Sequence, residues 1–255
     1  MSAPSFDLTG KLALVTGSSR GIGNALARAL AQSGATVVLN GREAATLEAA
    51  RAQFAAEGLT VHAQVFDVTD EGQIQAGIAR IENEIGPLDI LVNNTGVQIR
   101  GPLENFTTAD WNQIIQTNLS SVFLVSRTAV QAMISRKRGK IINVLSVNAE
   151  CARYSIAPYS ATKGALKMLT KGMCVDWARY NIQVNGLGPG YFATELTKAL
   201  VDDQEFTAWI EKRVPSGRWG DVAELGGAAV FLASPASDFV NGHVLYVDGG
   251  MTASL

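Results

Sequence analysis

Short apolar runs and longer stretches of helical period alternate along the whole chain. Lys11–Val15 reads as a buried strand. Gly21–Ser33 follows as a helix with Ile22, Leu26, Ala29 and Leu30 on its inner face. The alternation continues through strand Thr36–Leu39, helix Glu43–Glu57, strand Val61–Phe66 and a helix over Glu71–Ile85. Strand Ile90–Val92 runs into Asn93-Asn94-Thr95-Gly96, and Thr107-x-x-Asp110 resembles a capping box opening another helix. Beyond it come helix Leu119–Arg136, strand Ile141–Leu145, helix Tyr159–Tyr180, strand Gln183–Leu187, helix Val222–Leu232 and strand Val244–Val247. Strands that are apolar nearly throughout, each feeding a crossover helix, predict an α/β fold with a parallel sheet covered on both faces. Right-handed crossovers make such a sheet doubly wound and Rossmann-like. No linker or shift of composition divides the chain, so a single domain over residues 1–255 is expected.

Two helices are apolar on more than one face. In the Tyr159 helix, Leu166, Leu169, Met173 and Trp177 form one stripe, and Ala165, Met168, Gly172 and Val175 form another. The preceding helix repeats this with Val122–Val125, Ala129, Val130, Met133 and Ile134. A helix with two apolar faces is buried on both. One face covers the sheet and the other is expected to meet a second copy, giving a homo-oligomer, taken here as a homotetramer.

Composition adds mainly exclusions. The net charge of −2 argues against a nucleic-acid or membrane-surface partner. Arg136-Lys137-Arg138-Gly139-Lys140, the one basic run, reads as cations at a helix C-terminus followed by a glycine stop. Cys151 and Cys174 make no disulfide framework, and the start of the chain has no signal-like pattern, so a cytoplasmic protein is expected. With only His62 and His243, both in or beside strands, neither a metal centre nor a histidine-based triad is expected.

The chemistry gathers in a few short motifs. Tyr159 and Lys163 lie four residues apart on one helix, hence on one face. A cation beside a phenol stabilises the phenolate and lowers the tyrosine pKa, making a proton donor and acceptor for a hydroxyl or carbonyl group. Thr16-Gly17-Ser18-Ser19-Arg20-Gly21-Ile22-Gly23 joins a strand to a helix. There small residues let backbone approach a pyrophosphate and the helix N-terminus favours its charge. At the end of the second strand, where an acidic residue would select an unphosphorylated ribose, the chain has Asn40-Gly41-Arg42. With Arg20, Arg42 offers guanidinium groups to a 2′-phosphate, so NADP(H) is the expected cofactor. Glu43 is the dissenting neighbour. At the end of the third strand the short polar side chain of Asp67, or the backbone of its neighbour Val68, is placed beside the adenine, with turn and cap chemistry as the competing explanation.

Taken in order, Thr16-Gly17-x-x-x-Gly21-Ile22-Gly23, Asn93-Asn94-x-Gly96, Asn118, Ser146, Tyr159-x-x-x-Lys163 and Pro189-Gly190 with Thr194 resemble the short-chain dehydrogenase/reductase family over essentially the whole chain. The resemblance implies that Tyr159 exchanges a proton with the substrate oxygen. Lys163 would lower the tyrosine pKa and hold the nicotinamide ribose. Ser146 would hydrogen-bond the reacting oxygen and Asn118 would anchor a water behind Lys163. Asn94 and Gly96 would border the cofactor, Pro189-Gly190-Tyr191 would wrap the nicotinamide and Thr194 would reach its carboxamide. Thr95 stands where the family commonly has alanine, adding a hydroxyl close to the cofactor.

Within the family, Leu39-Asn40-Gly41-Arg42, Gly96-Val97-Gln98-x-Arg100-Gly101-Pro102-Leu103, Ile156-Ala157-Pro158-Tyr159, Gly190-Tyr191-Phe192-Ala193-Thr194-Glu195 and Asn241–Gly250 are similar to members that interconvert D-gluconate and 5-dehydro-D-gluconate with NADP(H). A sugar acid needs a cation for its carboxylate and polar groups for its hydroxyls. Arg100 and Arg153 are candidates for the first role. Gln98, Asn148 and Glu150 are candidates for the second, with Ser146 and Tyr159 at the reacting carbon. Segments 146–158 and 190–217 would form the substrate end. Asn148-Ala149, Cys151 and Tyr154-Ser155 depart from the similar members there, so a related polyol, sugar or keto acid stays open. So do reduction of 3-oxoacyl groups on a carrier protein and, in a different class, an NADP(H) sensor without turnover.

Overall fold

The computed structural model describes residues 5–255. Its main strands are β1 (Leu12–Val15), β2 (Thr36–Gly41), β3 (Val61–Val65), β4 (Leu88–Asn93), β5 (Gly139–Val144) and β6 (Ile182–Pro189). A short parallel pair, β7 (Phe192–Ala193) and β8 (Gly220–Asp221), stands apart, and β9 (Val244–Val247) returns to the main sheet. The seven main strands are parallel and lie in the order β3-β2-β1-β4-β5-β6-β9. The chain winds outward from β1 to β3, then crosses back to β4 and winds the other way. This reversal opens a crevice beyond the carboxyl ends of β1 and β4, where doubly wound sheets hold ligands.

The period of two along each strand divides the core. Ala13 and Val15 face helices α1 (Gly21–Gln32) and α2 (Ala44–Ala56), with Leu26, Leu30, Leu47 and Phe54 packed beside them. Leu12 and Leu14 face the opposite layer, built from α3 (Glu71–Arg80), α5 (Ser121–Arg136) and α6 (Ala157–Trp177). Between α3 and α5 lies α4 (Thr108–Ile115), whose first turn is held by Thr107: its hydroxyl oxygen accepts the Asp110 N–H at 3.0 Å. α9 (Gly226–Ala233) completes the α1 side, preceded by a 3₁₀ turn over Val222–Leu225.

Several boundaries differ from the periodic reading. Ile81–Ile85 and Gln116–Ser120 are π-helical turns, so the helix expected from Leu119 begins regular winding at Ser121. The stop after α5 is Lys137 in the left-handed conformation (φ 53°), while Gly139 already opens β5. The basic run is dispersed onto neighbours: Arg136 pairs with Glu82 at 2.7 Å, Arg138 with Asp89 at 3.2 Å and Lys140 with Asp238 at 2.7 Å.

Two helices absent from the periodic reading, α7 (Lys198–Val201) and α8 (Gln204–Arg213), roof the crevice's outer end. Asp203 caps α8 by accepting the Glu205 and Phe206 N–H groups, at 3.0 and 3.1 Å. The far end of α8 is tied to the chain's last turn. Arg213 donates to the Met251 carbonyl at 3.1 Å and to Ser254 Oγ at 2.6 Å, and the Ser216 N–H reaches the Gly249 carbonyl at 3.0 Å. On α6, Leu166 and Met173 are buried and Leu169 and Trp177 pack beside them, whereas Met168 and Val175 of the second stripe are exposed. No helix among the described residues is long and apolar enough to cross a membrane.

Candidate active site

The crevice is walled by the turn after β1, the loops after β4, β5 and β6, and the first turns of α6. The β1 turn has its shape because two positions carry no side chain. Gly17 is left-handed (φ +61°), and a Cβ there would lie 2.9 Å from Thr95 Oγ1. At Gly23 a Cβ would come within 2.4 Å of both Asn94 Nδ2 and the Gly17 carbonyl. Asn94 stitches the turn to β4, donating from Nδ2 to the Thr16 and Gly17 carbonyls at 2.9 and 3.0 Å. α1 starts with no side-chain cap and no acidic residue in its first turn, so its leading N–H groups stay available to an anion. These features fit a dinucleotide pyrophosphate. Gly17, Arg20, Gly21, Ile22, Gly23, Asn94, Gly96, Pro189, Gly190, Tyr191 and Thr194 all line this crevice. Ser19 instead borders an adjoining groove that it shares with Arg20 and Gly21.

At the outer end of β2 the picture changes. Asn40 is buried, and its Nδ2 donates to the Gln64 and Phe66 carbonyls, both at 3.1 Å. Its N–H reaches Ser18 Oγ at 3.0 Å. The Asn40 side-chain amide nitrogen therefore joins β2 to the end of β3, leaving Oδ1 as the side-chain atom open to a ribose. The Val68 side chain packs in the core, which leaves its backbone as the part that could meet adenine. Asp67 Oδ1 accepts from the N–H and hydroxyl of Thr69, at 2.8 and 2.7 Å, so turn chemistry claims one of its oxygens. Its other oxygen stands 3.7 Å from the well-exposed Arg42 guanidinium.

β5 delivers Ser146 to the crevice floor. Its Oγ accepts the Asn148 N–H at 3.1 Å and Asn148 Nδ2 at 3.3 Å. With those acceptor sites filled, the hydroxyl proton is left to point toward a reacting oxygen. Tyr159 and Lys163 stand one turn apart at the start of α6. Lys163 is buried, donates to the Val144 carbonyl at 2.8 Å and has Nζ 5.6 Å from the centre of the Tyr159 ring. Burial pushes the lysine pKa down to about 8. Burial also pushes the Tyr159 phenol up, opposed by its hydrogen bond with Ser146. This reverses the expected direction for the chain alone, because desolvation outweighs the hydrogen bond with Ser146.

Asn118 sits on the π-helical turn before α5, buried. Its Oδ1 accepts the Val97 N–H at 2.7 Å while Nδ2 donates to the Val97 carbonyl at 2.8 Å and approaches Thr162 Oγ1 at 3.4 Å. Its carboxamide is spent on holding the loop after β4 and is not part of the crevice wall.

At the substrate end, Gln98, Arg100, Asn148 and Arg153 line the crevice. Neither arginine has a carboxylate partner among the described residues; Arg100 reaches only Gln98 Oε1, at 3.2 Å. Burial, then the neighbouring Arg153 charge, lower the Arg100 pKa. Arg153 Nε is buried with no hydrogen-bond partner, and its guanidinium lies 5.0 Å from the Phe206 ring of α8. Glu150 departs from expectation: it faces Lys167 and accepts the Tyr246 hydroxyl at 2.6 Å, outside the crevice. The aromatic roof behind Tyr191, which lines the wall, was not anticipated: Phe206, Trp209 and Trp219 each have a ring 5.8 Å from that of Tyr191. The signal available was two of the chain's four tryptophans within the expected substrate segment and just beyond it.

Residues 17–252 match the family model described as Enoyl-(Acyl carrier protein) reductase. The chain is 58% identical to a gluconate 5-dehydrogenase of Gluconobacter oxydans (strain 621H), over 100% of each chain. It is 52% identical to a 5-keto-D-gluconate 5-reductase of Escherichia coli (strain K12), over 98% of each. In three dimensions it is similar to a crystal structure of a gluconate 5-dehydrogenase from Burkholderia cenocepacia J2315 in complex with NADP and tartrate. That pair shares 54% identity with a TM-score of 0.96, over 98% of each chain. With the parallel sheet, the glycine turn and the Ser146–Tyr159–Lys163 cluster, these likenesses establish that the chain belongs to the short-chain dehydrogenase/reductase family of oxidoreductases.

Proposed function

We propose that the protein is an NADP(H)-dependent oxidoreductase that interconverts D-gluconate and 5-dehydro-D-gluconate. The observation that carries the substrate class is the pair Arg100 and Arg153, two guanidiniums in one crevice, neither of them ion-paired among the described residues even though Glu195 lines the same crevice. Like charges gathered in this way are relieved by an anionic ligand. The activities named for the relatives from Gluconobacter and Escherichia are those of a sugar acid, and tartrate in the Burkholderia structure is a hydroxy acid too. Arg20 and Arg42, both exposed, are the residues that would hold a 2′-phosphate, in keeping with the NADP of that structure.

When bound, NADP(H) supplies or takes the hydride. The chain handles the proton. Tyr159, held protonated by its buried setting, gives its proton to the carbonyl oxygen as the ketone is reduced, and takes it back in the reverse direction. Ser146 donates a hydrogen bond to the same oxygen, where negative charge develops. Lys163, whose pKa lies at about 8, offsets the phenolate while it lasts and holds a proton one helical turn away. Asn118 acts through Val97 as a positioning residue. Segments 146–158 and 190–217 form the substrate end of one Rossmann-like domain spanning residues 1–255. The exposed Met168 and Val175 face belongs to a cytoplasmic homotetramer.

An NADPH-oxidation screen over 5-dehydro-D-gluconate, neutral ketoses and β-ketoacyl thioesters tests this. The sugar acid is expected to be the preferred substrate, and Tyr159→Phe to lose turnover by about a thousandfold while still binding NADPH. Preference for a thioester would overturn the substrate, and wild-type rates in Tyr159→Phe would overturn the proton transfer.

A further inference from the structure

We infer that the Thr95 hydroxyl is a cofactor-binding group: a hydrogen-bond donor held ready for an acceptor oxygen in the sugar–phosphate chain of the bound dinucleotide. The inference rests on the proposal that the crevice binds NADP(H). Thr95 lines the crevice, yet its Oγ1 is shut off from solvent and has no hydrogen-bond partner among the described residues. A buried hydroxyl without a partner is unfavourable, and native chains rarely keep one without a use.

The polar groups around it are already engaged with one another. Thr16 Oγ1 accepts the N–H groups of Asn94 and Thr95, at 2.9 and 3.2 Å, and its own proton is directed at the Val92 carbonyl at 3.4 Å. The Thr16 and Gly17 carbonyls each already receive Asn94 Nδ2. No hydrogen bond holds the Thr95 side chain in its rotamer, so a turn about its Cα–Cβ bond can present the hydroxyl to a ligand lying along the glycine turn. What it faces is the glycine turn. Its Oγ1 is the nearest atom to the place a Cβ would occupy at Gly17. An oxygen of a molecule lying along that turn is the partner still missing, and the uncapped start of α1 favours such a molecule when it carries phosphate.

NADPH affinity, measured by equilibrium fluorescence titration of the Ala, Ser and Val variants of Thr95, tests this, with thermal melting of each free protein in parallel. Thr95→Ala and Thr95→Val are expected to weaken binding about tenfold, with Thr95→Ser within about twofold of wild type. Free Thr95→Val, which keeps the side chain's shape, should melt no lower than wild type, because the lost hydroxyl had no protein partner. Unchanged affinity in Thr95→Ala, or equal losses in Ala and Ser, would overturn the inference. So would a lowered melting temperature in free Thr95→Val, since it would give the hydroxyl a structural role. A wild-type protein that fails to bind NADPH would instead remove the cofactor assignment on which it depends.

Discussion

The carboxamide of Asn118 holds Val97 from both sides, accepting its N–H at 2.7 Å and donating to its carbonyl at 2.8 Å. One side chain on a π-helical turn thus replaces a strand partner for the loop that leaves β4 toward the crevice. Asn118→Ala is expected to leave both Val97 groups unpaired and to lower stability by about 2 kcal/mol in urea unfolding. If the residue acts by positioning, kcat in the variant falls while its pH profile keeps the wild-type shape.

Lys163 gives the free protein a distinctive pH dependence. Its pKa in the folded chain is about 8, below the ordinary lysine value. Between those values the unfolded chain holds a proton that the folded chain has released, so stability rises with pH across that window. Below it the burial of charge is felt in full. Tyr159, shifted upward, works in the opposite sense only once unfolded tyrosine ionises near about 10. Urea unfolding from pH 8 to about 10 should therefore show a gain of about 2 kcal/mol in wild type that is missing from Lys163→Met.

Arg153 is expected to distinguish acids from neutral sugars. Arg153→Gln should raise KM for 5-dehydro-D-gluconate by about tenfold or more, with kcat changed far less. Any slow turnover of a neutral ketose should be untouched. Equal losses on both substrates in steady-state kinetics would assign the residue to the roof and not to the carboxylate.

Val175 and Met168 stand on the same outer face of α6, 78% and 63% exposed. Val175→Lys puts a charge where a second copy would pack. Sedimentation velocity is expected to show a homotetramer for wild type and a smaller species for the variant. A wild-type monomer would remove the assembly.

The sheet was legible because nearly every strand is apolar on both faces and each crossover helix carries a clear stripe. The glycine turn and the Tyr159–Lys163 spacing were legible for a similar reason, since local geometry alone puts those groups together. The tie from Asn40 to the Gln64 and Phe66 carbonyls was not, because a polar residue at a strand end suits a ribose as well as it suits a neighbouring strand. Glu150 was lost to Lys167 and Tyr246, partners distant in sequence that only packing brings near. The sign of the Tyr159 shift also escaped, because spacing reports that a cation is near but not how dry the pocket is. α8 went unread since only Ile210 in it is buried, leaving no stripe to detect.

Arg213 fastens α8 to Met251 and Ser254, so the roof over Arg153 depends on the final few residues of the chain. A change at either end of this tie would therefore be felt by the Phe206 ring beside the Arg153 guanidinium, although neither end touches the substrate.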